Sequence, residues 1–487
     1  MRIEPGIGWG TVKLGMTRRE LVRALGQPSK SSVTEDCFYD LWESQSVRTT
    51  ISVETQKLEE ITLLAGAKLE GSDVEFGMDR DALVERLGES SSSNDGLFNF
   101  PGICVQLRGG KAVEFTVEHF EEDRFALEPQ PTNAELEAAI AAQPDDASAY
   151  LVFGDWLTQQ GHAHGALIAE AAAGTKVDKK SPQQLFGPTL ARVADVITDR
   201  TWRFGVLEKV KVASNFDRSP NHNGQLDDVP LSKVIEFLFE SVAGRFVRDL
   251  RIGISTFESN DYGLEMQAVG AKPRPFLRSL YVGDFEREET ELNWSQLGDA
   301  SVMWKALGNL RDLTLRSGSM SLGKIELPEL RSFATRTGGL SKDNVKSIAT
   351  AQWPKLESLD VQVGSDRYGS DVELSDLEML LQNVPATVRH LGITNTEHAD
   401  LLMPLIAQSP VLQQLETLDV SLGTLGPEGG QIFLSHADRF AHLKKIELSE
   451  SWLGDDFVDR IREKLPQAVS TSQEEGEPDD RYIAAGE

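Results

Sequence analysis

One short pattern recurs through the second half of the chain and limits its fold more than any other feature. It reads apolar, two variable, apolar, one variable, apolar. Clear copies are Val247-Leu250-Ile252, Leu277-Leu280-Val282, Leu310-Leu313-Leu315, Leu356-Leu359-Val361, Val388-Leu391-Ile393, Leu415-Leu418-Val420 and Leu443-Ile446-Leu448. A weaker copy, Leu330-Phe333-Thr335, brings the successive starts to 30, 33, 20, 26, 32, 27 and 28 residues apart. Leu207-Val210-Val212 reads as an earlier, degenerate copy. Such spacing puts the last two apolar residues on one side of a short strand, with the residues between and after them facing outward. The intervening segments 375–381, 400–406 and 455–465 read as helices, the last with Phe457, Val458, Ile461 and Leu465 at helical spacing. A strand and a helix in so few residues leave room only for a stacked parallel crossover, right-handed by default. No copy can fold alone. Three buried aliphatic side chains contribute about 5–9 kcal/mol, whereas each ordered residue costs about 1–2 kcal/mol of backbone entropy. Neighbouring copies must therefore share a core.

Residues 245–465 thus resemble the leucine-rich-repeat family. The resemblance implies a right-handed α/β solenoid with parallel strands whose concave face binds a protein. The family places Asn or Cys three residues beyond the third apolar position. Here that position holds Ser255, Phe285, Gly318, Gly338, Gly364, Thr396, Gly423 and Ser451, so the buried asparagine ladder is missing.

Residues 133–171 carry a second signature. Asn133 and Asp146 are placed to cap two helices, and Gly161 suits the end of the second. Leu151, Trp156 and Leu157 are expected to pack the second helix on the first. Pro144-Asp145-Asp146 followed by Gly154-Asp155-Trp156-Leu157 resembles the repeat-companion domain that precedes leucine-rich repeats in some bacteria, with Gly154 in place of the family's alanine. His162 and His164 read as a loop pair without metal, since no nearby Cys or third His completes a ligand set.

The first 120 or so residues contain a duplication with a shift of 62: the segment 14–26 recurs as 76–88. Thr17 and Asp79 are N-caps, Thr17 with Glu20 forms a capping box, and Gly26 and Gly88 end the helices. Leu21, Val22 and Leu25 are mirrored by Leu83, Val84 and Leu87. Three alternating strands follow each helix: 37–42, 47–53 and 58–64, then 97–100, 103–107 and 112–117. The Gly-Met-Thr start and Leu25-Gly26-Gln27-Pro28 make these small α+β modules similar to outer-membrane assembly lipoprotein E and β-lactamase inhibitory protein, which implies protein binding.

The reading divides the chain into module copies at 1–65 and 66–128, a helical repeat-companion domain at 129–175, a connector with the degenerate repeat at 176–244, the solenoid at 245–467 and an acidic, mobile tail at 468–487. A short terminal strand at 481–484 is the alternative for that tail. A formal net charge of −28 disfavours nucleic acid and anionic lipid and suits a basic protein partner. No apolar run is long enough to cross a membrane, and Cys37 and Cys104 read as buried, reduced thiols, so a cytoplasmic location is expected.

No phosphate-cradling loop, dinucleotide fingerprint, nucleophile elbow or zinc-protease motif occurs. No catalytic residue, cofactor or metal is expected, and function falls to surfaces. The candidate partner-binding residues are the outward positions Tyr281, Thr314, Arg316, Arg336, Asp360, Gln362, Thr394, Asp419, Ser421 and Glu447. Arg316 and Arg336 lie near the middle of the row, and exchanging both for Glu is expected to weaken partner binding without unfolding the protein. The first functional reading is a non-enzymatic protein-interaction scaffold. The alternatives are an immunity or inhibitor protein that neutralises a basic toxin or enzyme, and an enzyme with an unrecognised site.

Overall fold

The structure is a computed structural model that describes residues 3–4, 8–34, 37–52, 58–64, 67, 74–87, 91–94, 97–100, 103–108, 111–118, 127–214, 229–255 and 260–486. Gly88 and Val53 lie outside the described residues. The chain divides into two compact units, Met1–Ala126 and Leu127–Glu487.

In the first unit, β1 (Ile3–Glu4), β2 (Gly8–Trp9) and β3 (Val12–Lys13) form a small antiparallel sheet. Helix α1 (Arg18–Leu25) starts at the Thr17–Glu20 capping box and ends at Gly26, whose φ of +83° releases the chain from the helix. Strands β4 (Lys30–Val33), β5 (Cys37–Trp42), β6 (Val47–Ser52) and β7 (Leu58–Leu64) follow, then α2 (Arg80–Leu87), β8 (Ser91–Asn94), β9 (Leu97–Phe100), β10 (Ile103–Arg108) and β11 (Lys111–Glu118).

Each copy is therefore a helix with four strands rather than three, and the copies are not separate modules. They share one eight-stranded antiparallel sheet ordered β4-β5-β6-β7-β11-β10-β9-β8. Matching bonds relate the halves: Gly15 and Gly77 donate to the carbonyls of Leu58 and Ala112, both at 2.8 Å, and those residues donate back to Met16 and Met78. Under that equivalence Thr62 corresponds to Thr116, and these two pair directly where β7 meets β11. The seam is a local pseudo-two-fold. Leu21, Leu83, Trp42, Ile51, Ile61 and Phe115 fill the core. Asp40 is fully buried there and receives Arg18 through two bonds of 2.6 and 2.8 Å. Burial works against its charge, but Arg18 and Ser31 hold the carboxyl below its usual range. Cys37 and Cys104 are not joined in a disulfide and are half-buried rather than buried.

The second unit opens with α3 (Ala134–Ala142), α4 (Ala147–Gln159) and α5 (His164–Ala172), with Asn133 and Asp146 capping the first two. The buried face of α4 is Tyr150, Phe153, Gly154 and Leu157; Leu151, expected inside, is 37% exposed. Gly154 lets α5 approach, because a Cβ there would sit 2.9 Å from Ile168 Cγ2. His164 belongs to α5 and is buried, not part of a loop. Its Nε2 lies 2.8 Å from the Gly205 carbonyl, and burial pushes its pKa down to about 4. Between that value and the ordinary 6.5 the unfolded chain binds more protons than the folded one, so stability falls as pH drops through this window. The slope reaches about 1.4 kcal/mol per pH unit. Thermal unfolding at pH 7 and pH 4.5 checks this: His164→Gln is expected to lose less stability than the wild type, and equal losses would contradict it.

Strands β12 (Ile197–Arg203) and β13 (Val206–Val212) form an antiparallel hairpin. Then come β14 (Asp249–Ile252), β15 (Ser279–Val282), β16 (Gln296–Asp299), β17 (Asp312–Arg316), β18 (Ser319–Ser321) and β19 (Ser332–Arg336). The last are β20 (Ser358–Gly364), β21 (His390–Thr396), β22 (Thr417–Asp419), β23 (Lys445–Glu447) and β24 (Ala468–Val469). All but β16 and β18 join one eleven-stranded sheet, and those two make a separate pair. Leu250, Leu280, Leu313, Phe333, Leu359, Leu391, Leu418 and Ile446 are cross-strand partners in one register row. Each is at most 1% exposed, and each contributes about 1.5–3 kcal/mol by burial.

The expectation of a right-handed leucine-rich-repeat solenoid preceded by small modules is corrected. The chain is mixed α/β: one large sheet is wholly antiparallel, and the other is mixed, entered through an antiparallel hairpin and continued by parallel pairs. Its crossovers are not one repeated unit. Some are α-helices, such as Lys342–Ala349 and Leu374–Asn383, while Ala300–Ala306 is a 3-10 helix and β16 and β18 divert the chain into a second sheet. The physical reason lies in the missing asparagine ladder and the uneven spacing. Without a common buried turn, each connection closes in its own way. Among the described residues no helix is long and apolar enough to cross a membrane.

Candidate functional site

In the strands of the second unit alternate residues point away from the core. Lys211, Arg251, Tyr281, Thr314, Ala334, Asp360, Gly392, Asp419 and Glu447 are successive cross-strand partners and form one row on the outward face. In the next row Arg316 pairs with Arg336 and Gln362 with Thr394. The candidate residues chosen from the sequence pattern thus share one face. They are not equally available. Gln362, Thr394 and Ser421 are 6%, 3% and 6% exposed, while the other seven are half-buried.

The two arginines are engaged within the chain rather than free. Arg316 donates to the Phe285 carbonyl and lies 4.4 Å from the centre of that ring. Arg336 Nη2 reaches Asp360 Oδ2 at 2.6 Å. The acidic end differs. Asp360 Oδ1 is buried without a hydrogen-bond partner, and Thr394 Oγ1 is another such atom. Gly392 stands between the strands of Asp360 and Asp419, and a Cβ on it would lie 2.7 Å from Asp360 Oδ1. Two strand spacings, about 10 Å, separate the two carboxylate positions. Burial pushes the Asp419 carboxyl above its usual range despite bonds from Ser421, and Asp360 and Glu447 add to the rise. Glu447 is also penalised by burial, but Lys445 at 2.8 Å and Ser449 hold it below its usual range. Asp360 is thus paired with Arg336 through Oδ2 and leaves Oδ1 unbonded, while Asp419, across Gly392, has no ion pair among the described residues. The missing side chain of Gly392 leaves a notch in the row that the Asp360 carboxylate occupies, with Asp419 on the next strand and the Thr394 hydroxyl two residues along.

A third outward row escaped the sequence reading: Asp249, Ser279, Asp312, Ser332, Ser358, His390, Thr417 and Lys445. Stepping the two-residue period back once from the chosen positions would have found it. His390 Nδ1 contacts Thr417 Oγ1 at 2.6 Å within that row.

Fold and site together define a mixed α/β chain with a polar, partly acidic sheet face. No protein-family model and no curated protein matches it. A solved protein from Bacteroides fragilis is 26% identical, covering 56% of this chain and 76% of its own, with a TM-score of 0.50. A cysteine-rich secretory protein from Staphylococcus aureus is 12% identical, covering 41% of this chain and 79% of its own, with a TM-score of 0.20, too low to carry an argument. Neither likeness supports a leucine-rich-repeat assignment.

Proposed function

We propose that the chain is a non-enzymatic protein-binding scaffold and that the outward face of its eleven-stranded sheet takes a basic partner. The observation that carries this reading is the notch at Gly392, where Asp360 keeps one oxygen without a hydrogen-bond partner and burial holds the Asp419 carboxyl above its usual range. A partner's Lys or Arg would relieve the desolvated charge that the fold maintains there, and hydrogen bonds to charged groups contribute about 1.5–3 kcal/mol each. The net charge of −28 favours the approach of a cationic partner and opposes that of nucleic acid. Two cysteines that form no disulfide suit a reducing compartment such as the cytoplasm.

Selection of displayed random peptides on the immobilised full chain tests the proposal. Selected peptides are expected to carry Lys or Arg and to bind the Asp360→Asn/Asp419→Asn variant at least tenfold more weakly. The control Glu135→Gln/Glu463→Gln, altered at two exposed carboxylates elsewhere in the unit, is expected to retain affinity. Peptides without basic residues, or equal losses in both variants, would count against it.

A further inference from the structure

Composition marks the segment after Ser470 as mobile, yet the chain returns and docks. Residues 474–480, with five carboxylates, are exposed along their whole length. Beyond them the chain crosses the carboxyl ends of five strands, β23 to β19. The Tyr482 carbonyl accepts from Trp452 Nε1 at 2.9 Å beyond β23, and the two rings meet edge-on at 4.9 Å. Ala484 N–H donates to the Leu422 carbonyl at 2.8 Å beyond β22. Asn395, in β21, grips the peptide unit of Ala485 from both sides: its Oδ1 accepts from Ala485 N–H at 2.9 Å and its Nδ2 donates to the Ala485 carbonyl at 2.6 Å. Gly486 then packs between Gly338, beyond β19, and the ring of Tyr368.

Two side chains anchor this backbone. Ile483 is 7% exposed. Arg481, its side chain 4% exposed, bonds Asp400 at 2.8 Å and Glu428 at 3.0 Å. Asp400 also accepts from Gly426 N–H and Gly429 N–H, both at 2.9 Å, at the start of the helix Pro427–Ser435.

A segment that merely caps a sheet edge needs apolar cover. This one is held by bonds to its backbone, including a two-sided grip from a fully buried asparagine kept at φ +54°. That is how a surface recognises an extended peptide. The carboxyl ends of parallel strands are also where open α/β sheets bind ligands. We propose that Trp452, Leu422, Asn395, Gly338 and Tyr368 form a peptide-binding groove that residues 481–486 close in cis. Its outside ligand is an extended protein segment with a basic residue, an aliphatic residue two positions later, and two small residues after that. The exposed acidic stretch 474–480 is the strap that lets the cover leave. This groove lies at the strand ends and does not depend on the notch at Gly392.

The test uses full-length protein and a fluorescent synthetic peptide of residues 473–487. A tethered segment competes at millimolar effective concentration, so the wild type is expected to show negligible anisotropy change at micromolar protein. Ile483→Asp and, separately, Arg481→Glu are expected to release the cover and bind the peptide at least tenfold more tightly than wild type. Adding Asn395→Gly, which keeps the left-handed backbone but removes the amide, is expected to abolish that gain. The proposal is overturned if both released variants keep native circular dichroism and bind no peptide, or if binding survives Asn395→Gly. Loss of the whole fold in both would make the segment a permanent part of the sheet and overturn it equally.

Discussion

Gly364→Val is expected to lower the stability of the second unit by about 4 kcal/mol, combining a left-handed backbone cost with overpacking. Gly364 closes β20 at φ +82°, and a Cβ there would overlap the carbonyl of Gly338. The chain cannot simply step aside. Leu340 N–H donates to the Val363 carbonyl at 2.7 Å and Ser365 N–H to the Gly338 carbonyl at 2.9 Å, which ties the loop after β19 to the end of β20. Guanidinium denaturation followed by far-ultraviolet circular dichroism checks the size of the effect. Hydrogen exchange should show the Leu340 and Ser365 amides among the most affected. A variant as stable as wild type would show that these turns are free to rearrange.

Phe246→Ala is expected to cost about 3–5 kcal/mol, the range for emptying a buried aromatic site. Phe246 is 1% exposed and meets Tyr150 at 5.6 Å, Phe153 at 5.3 Å and Phe276 at 4.9 Å between ring centres. It joins the helices at 134–172 to the first strands of the sheet, since Val206, Val242 and Ile168 belong to the same cluster. The helices and the start of the sheet thus bury apolar surface together. Thermal unfolding with near-ultraviolet dichroism is the check. A loss below about 1 kcal/mol, the scale of a surface change, would mean that the helices are not part of this core.

The strands of the second unit were legible because a two-residue period anchored on leucine fixes which residues face outward, and a parallel register then aligns them. The row from Arg251 to Glu447 follows from that alone. What could not be read was how the gaps close. Lys30–Val33 is a strand with every residue exposed, so no apolar alternation announces it. On α4 the expected stripe caught Leu157 but placed Leu151 inside, because Phe246 and Phe276 draw Tyr150 and Phe153 inward. Pairing is equally hidden. Asp360, 24 residues from Arg336, pairs with a side chain that the sequence pattern places among the partner-binding residues. The segment after Ser470 has a disordered composition, and its docking depends on Trp452 and Asn395, which its own residues do not reveal.

On the proposed reading the carboxylates flanking Gly392 receive a partner's cation. Carbodiimide cross-linking of a selected lysine-containing peptide to the full chain, mapped by mass spectrometry, reports which carboxylate touches the lysine. The account predicts links at Asp360 or Asp419 that disappear in the Asp360→Asn/Asp419→Asn variant. Links confined to the exposed carboxylates of 474–480, or to the first unit, would contradict it.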